Sequence, residues 1–381
     1  MMGGNRETMF WRRMSKAAKD PDHSDWLDKQ QKKQRRQRLI LLTIGLILVA
    51  IIVGAIGYYY THRTPPKYPN VNNAPTGNAA VNTTAPGDTK IIPDSRYSRS
   101  FYGIGYTPLN TQFPWCGASL ANITEDIKIL SQLTPRIRLY GQDCRQAEMV
   151  LQAIKLLNVK MSVILTVWVD ANETTFQRQY SSMLDTLKTY GSDGNIEAVA
   201  IGNEVLFRKE IEPQVLFQRM MDFRATLQTM NLSKIKVITS DLGSNISPAM
   251  IKATDVVFAN VHPFFAGVVV EKGADWTFTY FNETDVKPAL PKPAVISEVG
   301  WPTKNGTNRG AVASEQNLQI FVDNFVCEAN RRQVPYYFFE AFDEPWKIIT
   351  GSDMETHWGI MTVDRELKIK IPNCVVPPVR Y

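Results

Sequence analysis

Histidine and cysteine are both scarce in this chain of 381 residues, which contains four of each. Structural zinc sites need closely spaced pairs of these residues, and neither a CxxC pair nor an HxxxH pair occurs. A glycine-rich phosphate loop is also missing after the first predicted strand, where a dinucleotide-binding sheet would carry one. The sequence therefore predicts neither a metal ion nor an organic cofactor.

Net charge is also missing from most of the chain. The formal net charge is +6, and residues 1–38 alone hold eleven Lys and Arg against five Asp and Glu. Residues 39–381 hold 32 charges of each sign. Because a neutral surface does not attract phosphate over long distances, the sequence excludes a nucleic-acid partner and favours an uncharged substrate. It identifies no protein partner.

Charged side chains are absent from residues 39–60, an apolar run of 22 residues that ends in three tyrosines. About 20 apolar residues span a bilayer as a helix, and tyrosine rings favour its interface. The run is longer than the apolar part of a signal peptide, so it predicts an uncleaved transmembrane signal anchor. The Lys- and Arg-rich flank places the basic tail, residues 1–38, in the cytosol, as in a single-pass type II membrane protein.

The part of the chain beyond this anchor has the features of an extracellular or lumenal domain. It contains all four cysteines, whose three possible pairings the sequence leaves open. We favour the sequential pairing, Cys116 with Cys144 and Cys327 with Cys374. It also contains seven Asn-x-Ser/Thr glycosylation motifs, at Asn82, Asn122, Asn172, Asn231, Asn245, Asn282 and Asn305.

The domain organisation follows from composition and periodicity. Residues 61–98 are rich in Pro, Asn and Thr and predict a disordered linker, 99–375 predict the folded domain, and 376–381 form a short C-terminal tail. Within the domain, β-branched and aromatic runs alternate with segments of helical period, which predicts an α/β fold, a (β/α)8 TIM barrel. The eight predicted strands are Phe101–Tyr106, Ile137–Tyr140, Met161–Trp168, Ile196–Asn203, Ile235–Ser240, Val256–His262, Ala294–Glu298 and Tyr336–Phe342.

Two glutamates lie at the ends of predicted strands, where such barrels carry their functional residues. Glu204 follows the fourth strand and Glu298 ends the seventh. Either one alone would be an ordinary glutamate of the barrel rim, but two in like positions indicate the carboxylate pair of a glycoside hydrolase. At a separation of about 5–5.5 Å, one carboxylate attacks the anomeric carbon and the other protonates the leaving oxygen, with retention of configuration.

Two segments around these glutamates carry a family resemblance. IGNEVLFR at 201–208 and VISEVGWPT at 295–303 resemble the signature segments of glycoside hydrolase family 17, the β-1,3-glucanases, and most closely its fungal cell-wall members. YGIGYTP, RLYGQDC, NVHPFFAG and FEAFDEPWK resemble the fungal pattern in the same order, so the resemblance covers about 99–375. It implies that Glu204 is the acid/base and Glu298 the nucleophile of an endo-β-1,3-glucanase.

The resemblance also implies a substrate and a location. The substrate is β-1,3-glucan of the cell wall, and the catalytic domain faces that wall from the cell membrane. A β-1,3-glucanosyltransferase, in which a second glucan replaces water as the acceptor, would use the same carboxylates, and the motifs do not separate these outcomes. A non-catalytic glucan-binding wall sensor is a less favoured alternative, because a sensor needs neither glutamate.

Positions that match the family near the two carboxylates supply the expected substrate contacts. Asn203 would bind the 2-hydroxyl of the sugar or serve only the turn after its strand. Tyr106 and Tyr140 would position sugars or the nucleophile, with core packing as the alternative. His262 stands where plant members usually carry Tyr, and would donate to a sugar or be structural.

Other matching positions lie after the last two strands. We expect Trp301 to stack on a glucose ring rather than to plug the mouth of the barrel. Glu344, Lys347 and Glu355 match charged residues that line the family's cleft, with a buried ion-pair network as the alternative reading. Arg138, on the second strand, is expected to pair with a carboxylate inside the barrel rather than with substrate.

Overall fold

A computed structural model describes residues 88–378 and residue 381 of the chain. The predicted cytosolic tail, the predicted anchor at 39–60 and most of the predicted linker lie outside the described residues. Among the residues that are described, no helix combines the length and the apolar character needed to cross a membrane.

Eight parallel strands close into a barrel, which confirms the predicted (β/α)8 fold. Around the barrel they follow the chain, and the last strand pairs with the first, Phe338 opposite Ile104. A two-stranded hairpin, β8 (Thr307–Asn308) and β9 (Ala311–Val312), follows the seventh strand. The barrel strands are β1 Ile104–Gly105, β2 Arg136–Arg138, β3 Ser162–Val167, β4 Ile196–Asn203, β5 Lys236–Leu242, β6 Val257–Asn260, β7 Ala294–Val299 and β10 Tyr336–Phe338.

The first and last barrel strands are shorter than predicted. The prediction extended the last strand to Phe342, but the sheet ladder ends at Phe338. Beyond that residue the backbone bonds partly to another loop, with Glu340 N–H donating to the carbonyl of Trp358. Apolar composition continues past the end of the strand because Phe339, Ala341 and Phe342 remain buried after the ladder stops.

Helices surround the barrel, and several begin at a residue whose side chain caps the helix. Ser119, Asn172, Ser247 and Ser314 each accept a hydrogen bond from a free N–H of the first turn. Such caps fix where each chain segment turns back after its strand. The helices are α1 Leu120–Leu133, α2 Gln146–Leu156, α3 Glu173–Tyr190, α4 Pro213–Thr229, α5 Pro248–Ala253, α6 Gly273–Phe281, α7 Lys287–Ala289 and α8 Glu315–Arg331.

Apolar side chains form two separate layers. The larger layer lies between the sheet and the helices, where the helical stripe of Leu318, Phe321, Val322 and Phe325 is fully buried, as its spacing indicates. A smaller cluster fills the interior of the barrel and includes Phe258. Each such side chain contributes about 1.5–3 kcal/mol when buried, so the barrel is a rigid support for the residues at its rim.

The predicted disulfide pairing is the one that forms. Cys116 bonds to Cys144 and Cys327 bonds to Cys374, across 28 and 47 residues of sequence. Loops of these lengths give about 3–4 kcal/mol per disulfide in the chain-entropy model. The first bond joins the segments that follow β1 and β2, and the second joins α8 to the C-terminal segment.

The folded part extends past both predicted limits of 99 and 375. On the N-terminal side, Ile91 and Tyr97 pack against the main core. On the C-terminal side, the hydroxyl group of Tyr381 lies 2.8 Å from that of Tyr337 and donates to Glu197. These few residues contain too little apolar surface to be predicted as part of the domain from the sequence. They are ordered only by their contacts with neighbours in the fold.

Candidate active site

The end of β4 places Glu204 at the carboxyl-terminal rim of the barrel. Gly202 has φ of 80°, and a Cβ there would lie 2.2 Å from Val205 Cγ2, so glycine is required. Glu204 itself has φ of 54°, a left-handed conformation that costs about 1–2 kcal/mol for a residue other than glycine. The Glu204 N–H donates to the carbonyl of Ser240 on β5, which holds this sharp turn in place.

Glu298 belongs to β7, and its neighbours across the ladder place it near the same rim. Its Cα is paired with that of Asn260, the last residue of β6. Two residues later the chain passes very close to the residue that follows β10, since a Cβ on Gly300 would lie 2.0 Å from the carbonyl oxygen of Phe339. The short EVGW segment therefore needs its glycine for backbone packing, and this fixes the direction of the strand that presents the glutamate.

Glu298 is buried among donors and cations. It is 4% exposed, and its Oε1 accepts a hydrogen bond of 3.0 Å from Arg138 Nη1. His262 Nε2 lies 3.3 Å from Oε2. Burial raises the pKa of Glu298, but the hydrogen bond from His262 and the charge of Arg138 outweigh it and hold the pKa below its ordinary value. Glu298 is therefore an ionised carboxylate.

Glu204 has a less charged environment. Its Oε1 accepts a hydrogen bond of 2.7 Å from Asn260 Nδ2. Burial, followed by the negative charge of Glu298, raises the pKa of Glu204 above its ordinary value, and the Asn260 hydrogen bond offsets only part of this rise. One carboxylate of the pair is thus suited to attack and the other to donate a proton, the division of roles that glycoside hydrolysis needs.

A buried hydrogen-bond network orients the residues that support both carboxylates. Arg138 is fully buried, and besides Glu298 it donates to Asn203 Oδ1 at 2.8 Å and to the carbonyl of Ser297 at 2.8 Å. Asn260 Nδ2 also donates to Asn203 Oδ1, at 3.2 Å, while Asn260 Oδ1 accepts from Ser240 and Ser297. Both partners of Asn203 bond to its carbonyl oxygen, and among the described residues none bonds to its amide nitrogen, which remains available as a donor.

This network confirms the expectation that Arg138 pairs with a carboxylate inside the barrel. It also contains residues that were not expected from the sequence: Asn260, Ser240 and Ser297. Asn260 stands in the family-like NVHP segment, two residues before His262, and that segment was the available signal. The two serines carry no signal of their own, because buried serines occur on many strands.

Tyr140 and Glu355 are close enough to Glu298 for their charges to interact with it. Arg138 lies over the Tyr140 ring, 4.7 Å from its centroid. Burial and then the charge of Glu298 raise the pKa of the Tyr140 hydroxyl well above its ordinary value, so it stays a neutral donor. Glu355 is partly exposed, and burial raises its pKa, opposed by the charges of Lys347 and His262.

Two expected substrate contacts are not supported by the structure. Trp301 is fully buried against Phe264 and Phe321, and its indole N–H donates to the carbonyl of Val312, so no ring face is open for a sugar. Tyr106 is also fully buried, with its hydroxyl group donating to Asp126 of α1 at 2.6 Å. Both side chains belong to the packing behind the rim.

Glu344 and Lys347 form the buried ion-pair network that was the alternative reading for them. Lys347 Nζ lies 3.1 Å from Glu344 Oε2 and 3.0 Å from Oε1 of Glu340, a residue that sequence reasoning missed. The charge of Lys347 is one of those that lower the pKa of Glu298.

His262 packs edge-to-face on Phe339 and Trp358, which fixes its ring beside Glu298.

Comparison with known proteins identifies the family. The model of the BtgE/BtgC glycoside hydrolase domain matches residues 103–359, which include both glutamates and their network. The chain belongs to this family. Its members include the "Probable glucan endo-1,3-beta-glucosidase btgC" of Aspergillus flavus, 36% identical over 365 residues, which are 87% of this chain and 53% of that protein. The glucan endo-1,3-beta-glucosidase btgC of Emericella nidulans is 40% identical over 300 residues, 72% of this chain and 46% of that protein.

A solved structure of similar fold extends the comparison. An active-site mutant of the Rhizomucor miehei beta-1,3-glucanosyltransferase, in complex with laminaritriose, has a TM-score of 0.64 and 28% sequence identity. The match covers 72% of this chain and 99% of that structure. By contrast, the BtgE/BtgC-family chain described here spans about half the length of the curated relatives it matches.

Proposed function

We propose that the barrel domain is a retaining endo-β-1,3-glucanase that acts on cell-wall β-1,3-glucan. The observation that carries this proposal is the opposite displacement of the pKa values of two neighbouring carboxylates, lowered at Glu298 and raised at Glu204. The named activity of the btgC relatives and the laminaritriose bound to the structural neighbour support β-1,3-glucan as the substrate.

The reaction takes two displacements. In the first, a Glu298 oxygen bonds to the anomeric carbon as the glycosidic C–O bond breaks, and Glu204 gives its proton to the leaving oxygen. In the second, Glu204, now a carboxylate, takes a proton from water as that water attacks the anomeric carbon and releases Glu298. Each step inverts the anomeric centre, so the product keeps the β configuration.

The surrounding groups act on this sequence in different ways. The free amide N–H of Asn203 is placed to bind the sugar 2-hydroxyl, a contact that strengthens in the transition state. Arg138 and His262 hold Glu298 ionised and oriented before attack. The Tyr140 hydroxyl group is a neutral donor near Glu298, and Glu355 is a partly exposed acid that meets substrate at the edge of the site.

A second candidate function is glucan transfer, favoured by one comparison. The glucanosyltransferase of Rhizomucor miehei is matched over nearly its whole length, so the whole of that barrel has a counterpart in this domain. Transfer uses the same glycosyl-enzyme, with a sugar hydroxyl in place of water. The choice between the two depends on which acceptor reaches Glu204 first.

A timed product profile tests both candidates. The purified chain is incubated with a reducing-end-labelled β-1,3-glucan oligosaccharide, beside Glu298→Ala and a matched control, Glu271→Ala, which changes an exposed glutamate. Shorter products alone identify the hydrolase, and products longer than the substrate identify the transferase. If the unchanged chain binds glucan but forms neither, the enzyme proposal is wrong and the wall-sensor reading replaces it.

We also propose that the chain is a type II protein of the cell membrane, with the barrel outside and facing the wall. The apolar run at 39–60 with its basic N-terminal flank supports this topology. Two disulfides and five glycosylation motifs with an exposed asparagine are what an oxidising compartment with glycosyltransferases would use. The exposed asparagines are Asn122, Asn172, Asn231, Asn282 and Asn305.

Protease protection of sealed membrane vesicles tests this topology. With the cytosolic face outward, protease should remove only the basic tail, and glycosidase treatment after lysis should lower the mass of the protected fragment. A barrel that is digested in intact vesicles, or that carries no glycan, contradicts the proposed orientation. Replacing the Lys and Arg of the N-terminal flank should invert part of the population.

A further inference from the structure

Three charged side chains next to the proposed active site take no part in the reaction. Lys347 Nζ lies 3.0 Å from Glu340 Oε1 and 3.1 Å from Glu344 Oε2. The exposed fractions of these side chains are 14%, 1% and 4%. If all three were ionised, the group would hold a net negative charge in a buried place, which is energetically costly.

The unused oxygens of the two carboxyl groups show how that charge is removed. Among the described residues, Lys347 is the only cation within 4.0 Å of either carboxyl group. Glu340 Oε2 and both oxygens of Glu344 are buried, and none of the three accepts a hydrogen bond from any described residue; Glu344 Oε2 has only the ion-pair contact with Lys347. Both carboxyl groups lie on the same Lys347 Nζ, so the two negative charges are held close together. Two buried carboxyl groups held this way share one proton, because both cannot easily be ionised together.

We propose that Glu340 is kept as a neutral carboxylic acid whose proton is shared with Glu344, so that the Glu340–Lys347–Glu344 triad has no net charge and holds Lys347 beside Glu298. Burial and the charge of Glu344 raise the pKa of Glu340 well above its ordinary value, and the charge of Lys347 offsets only part of this. The added proton also supplies a hydrogen-bond donor between two carboxyl groups whose buried oxygens otherwise lack one.

Because the triad lies next to the active site, the proton on Glu340 affects the charge around Glu298. The charge of Lys347 helps to lower the pKa of Glu298. An ionised Glu340 would add a negative charge next to Lys347 and oppose that effect. Glu340 is therefore a positioning residue, and this role rests on the proposed function. The titratable and charged groups that face the triad from other elements are Tyr140 after β2, His262 after β6, Glu298 on β7 and Glu355 in the loop after β10.

Infrared spectroscopy tests the shared proton without using enzymatic activity. The spectrum of the unchanged chain minus that of Glu340→Gln, at neutral pH, should show the C=O band of one buried carboxylic acid, with a shift in heavy water. Bands from other protonated acids, such as Glu204 and Asp285, are common to both proteins and cancel in this difference. The matched control Glu271→Gln, at an exposed glutamate, should give no such difference band. A difference spectrum of Glu340→Gln without the band overturns the proposal.

The dependence of stability on pH is a second test. Because the folded-state pKa of Glu340 lies above its unfolded value near 4.5, its contribution to stability is fully present below pH 4.5. That contribution is lost as the pH rises through the folded-state value. The melting temperature of Glu340→Gln should therefore fall less than that of the unchanged chain between pH 5 and pH 8. Equal slopes for both proteins would contradict a raised pKa at Glu340.

Activity then tests the positioning role. Glu340→Gln is neutral and has the same shape as the acid, so it should retain most of the glucan-cleaving activity. Glu340→Ala should lose about 10²-fold, because Lys347 is no longer held in place. If Gln and Ala fail equally while both proteins stay folded, the neutral-acid role is wrong. If the unchanged chain cleaves no glucan, the proposed function fails, and the infrared band still decides the shared proton.

Discussion

Glu298 and Glu204 are chemically identical side chains near one rim of the barrel, but their surroundings differ. Glu298 is almost completely buried and contacts Arg138 and His262, with Lys347 nearby. Glu204 is more exposed, and its hydrogen bond comes from the neutral amide of Asn260. Nearby donors and cations outweigh the effect of burial at Glu298 and lower its pKa, whereas at Glu204 they are too weak to do so and the pKa stays raised. The difference in role therefore lies in the neighbours rather than in the two glutamates.

The largest effects are expected when each glutamate is replaced in turn. Glu298→Ala should lose about 10⁴-fold or more in kcat/KM with any β-1,3-linked substrate, because no nucleophile remains. Glu204→Ala should lose about 10²–10⁴-fold with glucan, whose leaving oxygen needs a proton. With an aryl glycoside of laminaribiose the leaving group needs no proton, so kcat/KM of Glu204→Ala should stay within about tenfold.

Steady-state kinetics on the two substrates measure these effects. Glu271→Ala serves as the control for the substitution itself. If Glu298→Ala retains activity on the aryl substrate while Glu204→Ala loses it, the two catalytic roles are reversed. The surroundings of the two glutamates would then not determine their roles in the way proposed.

The next largest effect should come from the cation that pairs with Glu298. Arg138→Met leaves a buried carboxylate without its partner, which should cost about 3–5 kcal/mol in the free energy of unfolding. It should also raise the pKa of Glu298, so the acidic limb of the pH–rate profile moves to higher pH. Arg136→Met is the matched control, since Arg136 is a buried cation on the same strand that faces Glu197 instead.

Urea unfolding and pH–rate profiles of both variants check this prediction. Arg136→Met should lose stability and leave the acidic limb in place. An equal movement of the limb in both variants would show that general loosening, rather than the charge of Arg138, controls Glu298.

The smallest effects should separate the two limbs of the pH–rate profile. Activity needs Glu298 ionised, with its pKa below 4.5, and Glu204 protonated, with its pKa above 4.5. His262→Ala removes a hydrogen bond that lowers the pKa of Glu298, so the acidic limb should move to higher pH, with a smaller movement of the alkaline limb because the charge of His262 also lowers the pKa of Glu204. Asn260→Ala removes a hydrogen bond that lowers the pKa of Glu204, so the alkaline limb should move to higher pH. Each movement should be at most about one pH unit.

Measurement of kcat/KM from acid to alkaline pH checks both variants together. A variant that moves both limbs equally would mean that its side chain serves the two carboxylates jointly. That result would contradict the separate surroundings described here for Glu204 and Glu298.

The barrel itself was predictable because its signal is repeated eight times. Alternating apolar strands and helical stripes such as Leu318 to Phe325 depend only on local periodicity, and both appear in the structure. The ends of the strands were less predictable. Phe339 and Phe342 are as apolar as strand residues, but they are buried by neighbours after the sheet ladder has ended.

The site was predictable for residues whose role is visible in their own motif. Glu204 and Glu298 follow apolar strands, and a glycine lies beside each for a backbone reason. Trp301 and Tyr106 could not be assigned in this way. An aromatic ring at a strand end suits either a sugar or a core, and the choice depended on Phe264, Phe321 and Asp126, which come from distant parts of the chain.

By itself the sequence determined the parallel barrel, the two carboxylates at its rim and the neutral character of the part that carries them. Periodicity, strand ends and charge counts are local properties of a chain, so they can be read without a fold. Only the tertiary structure decided that Arg138, Asn203 and Asn260 connect the two carboxylates, and that Glu340 meets Glu344 on one lysine. Both arrangements depend on burial and on distances between separate strands and loops, which set every pKa on which the chemistry relies.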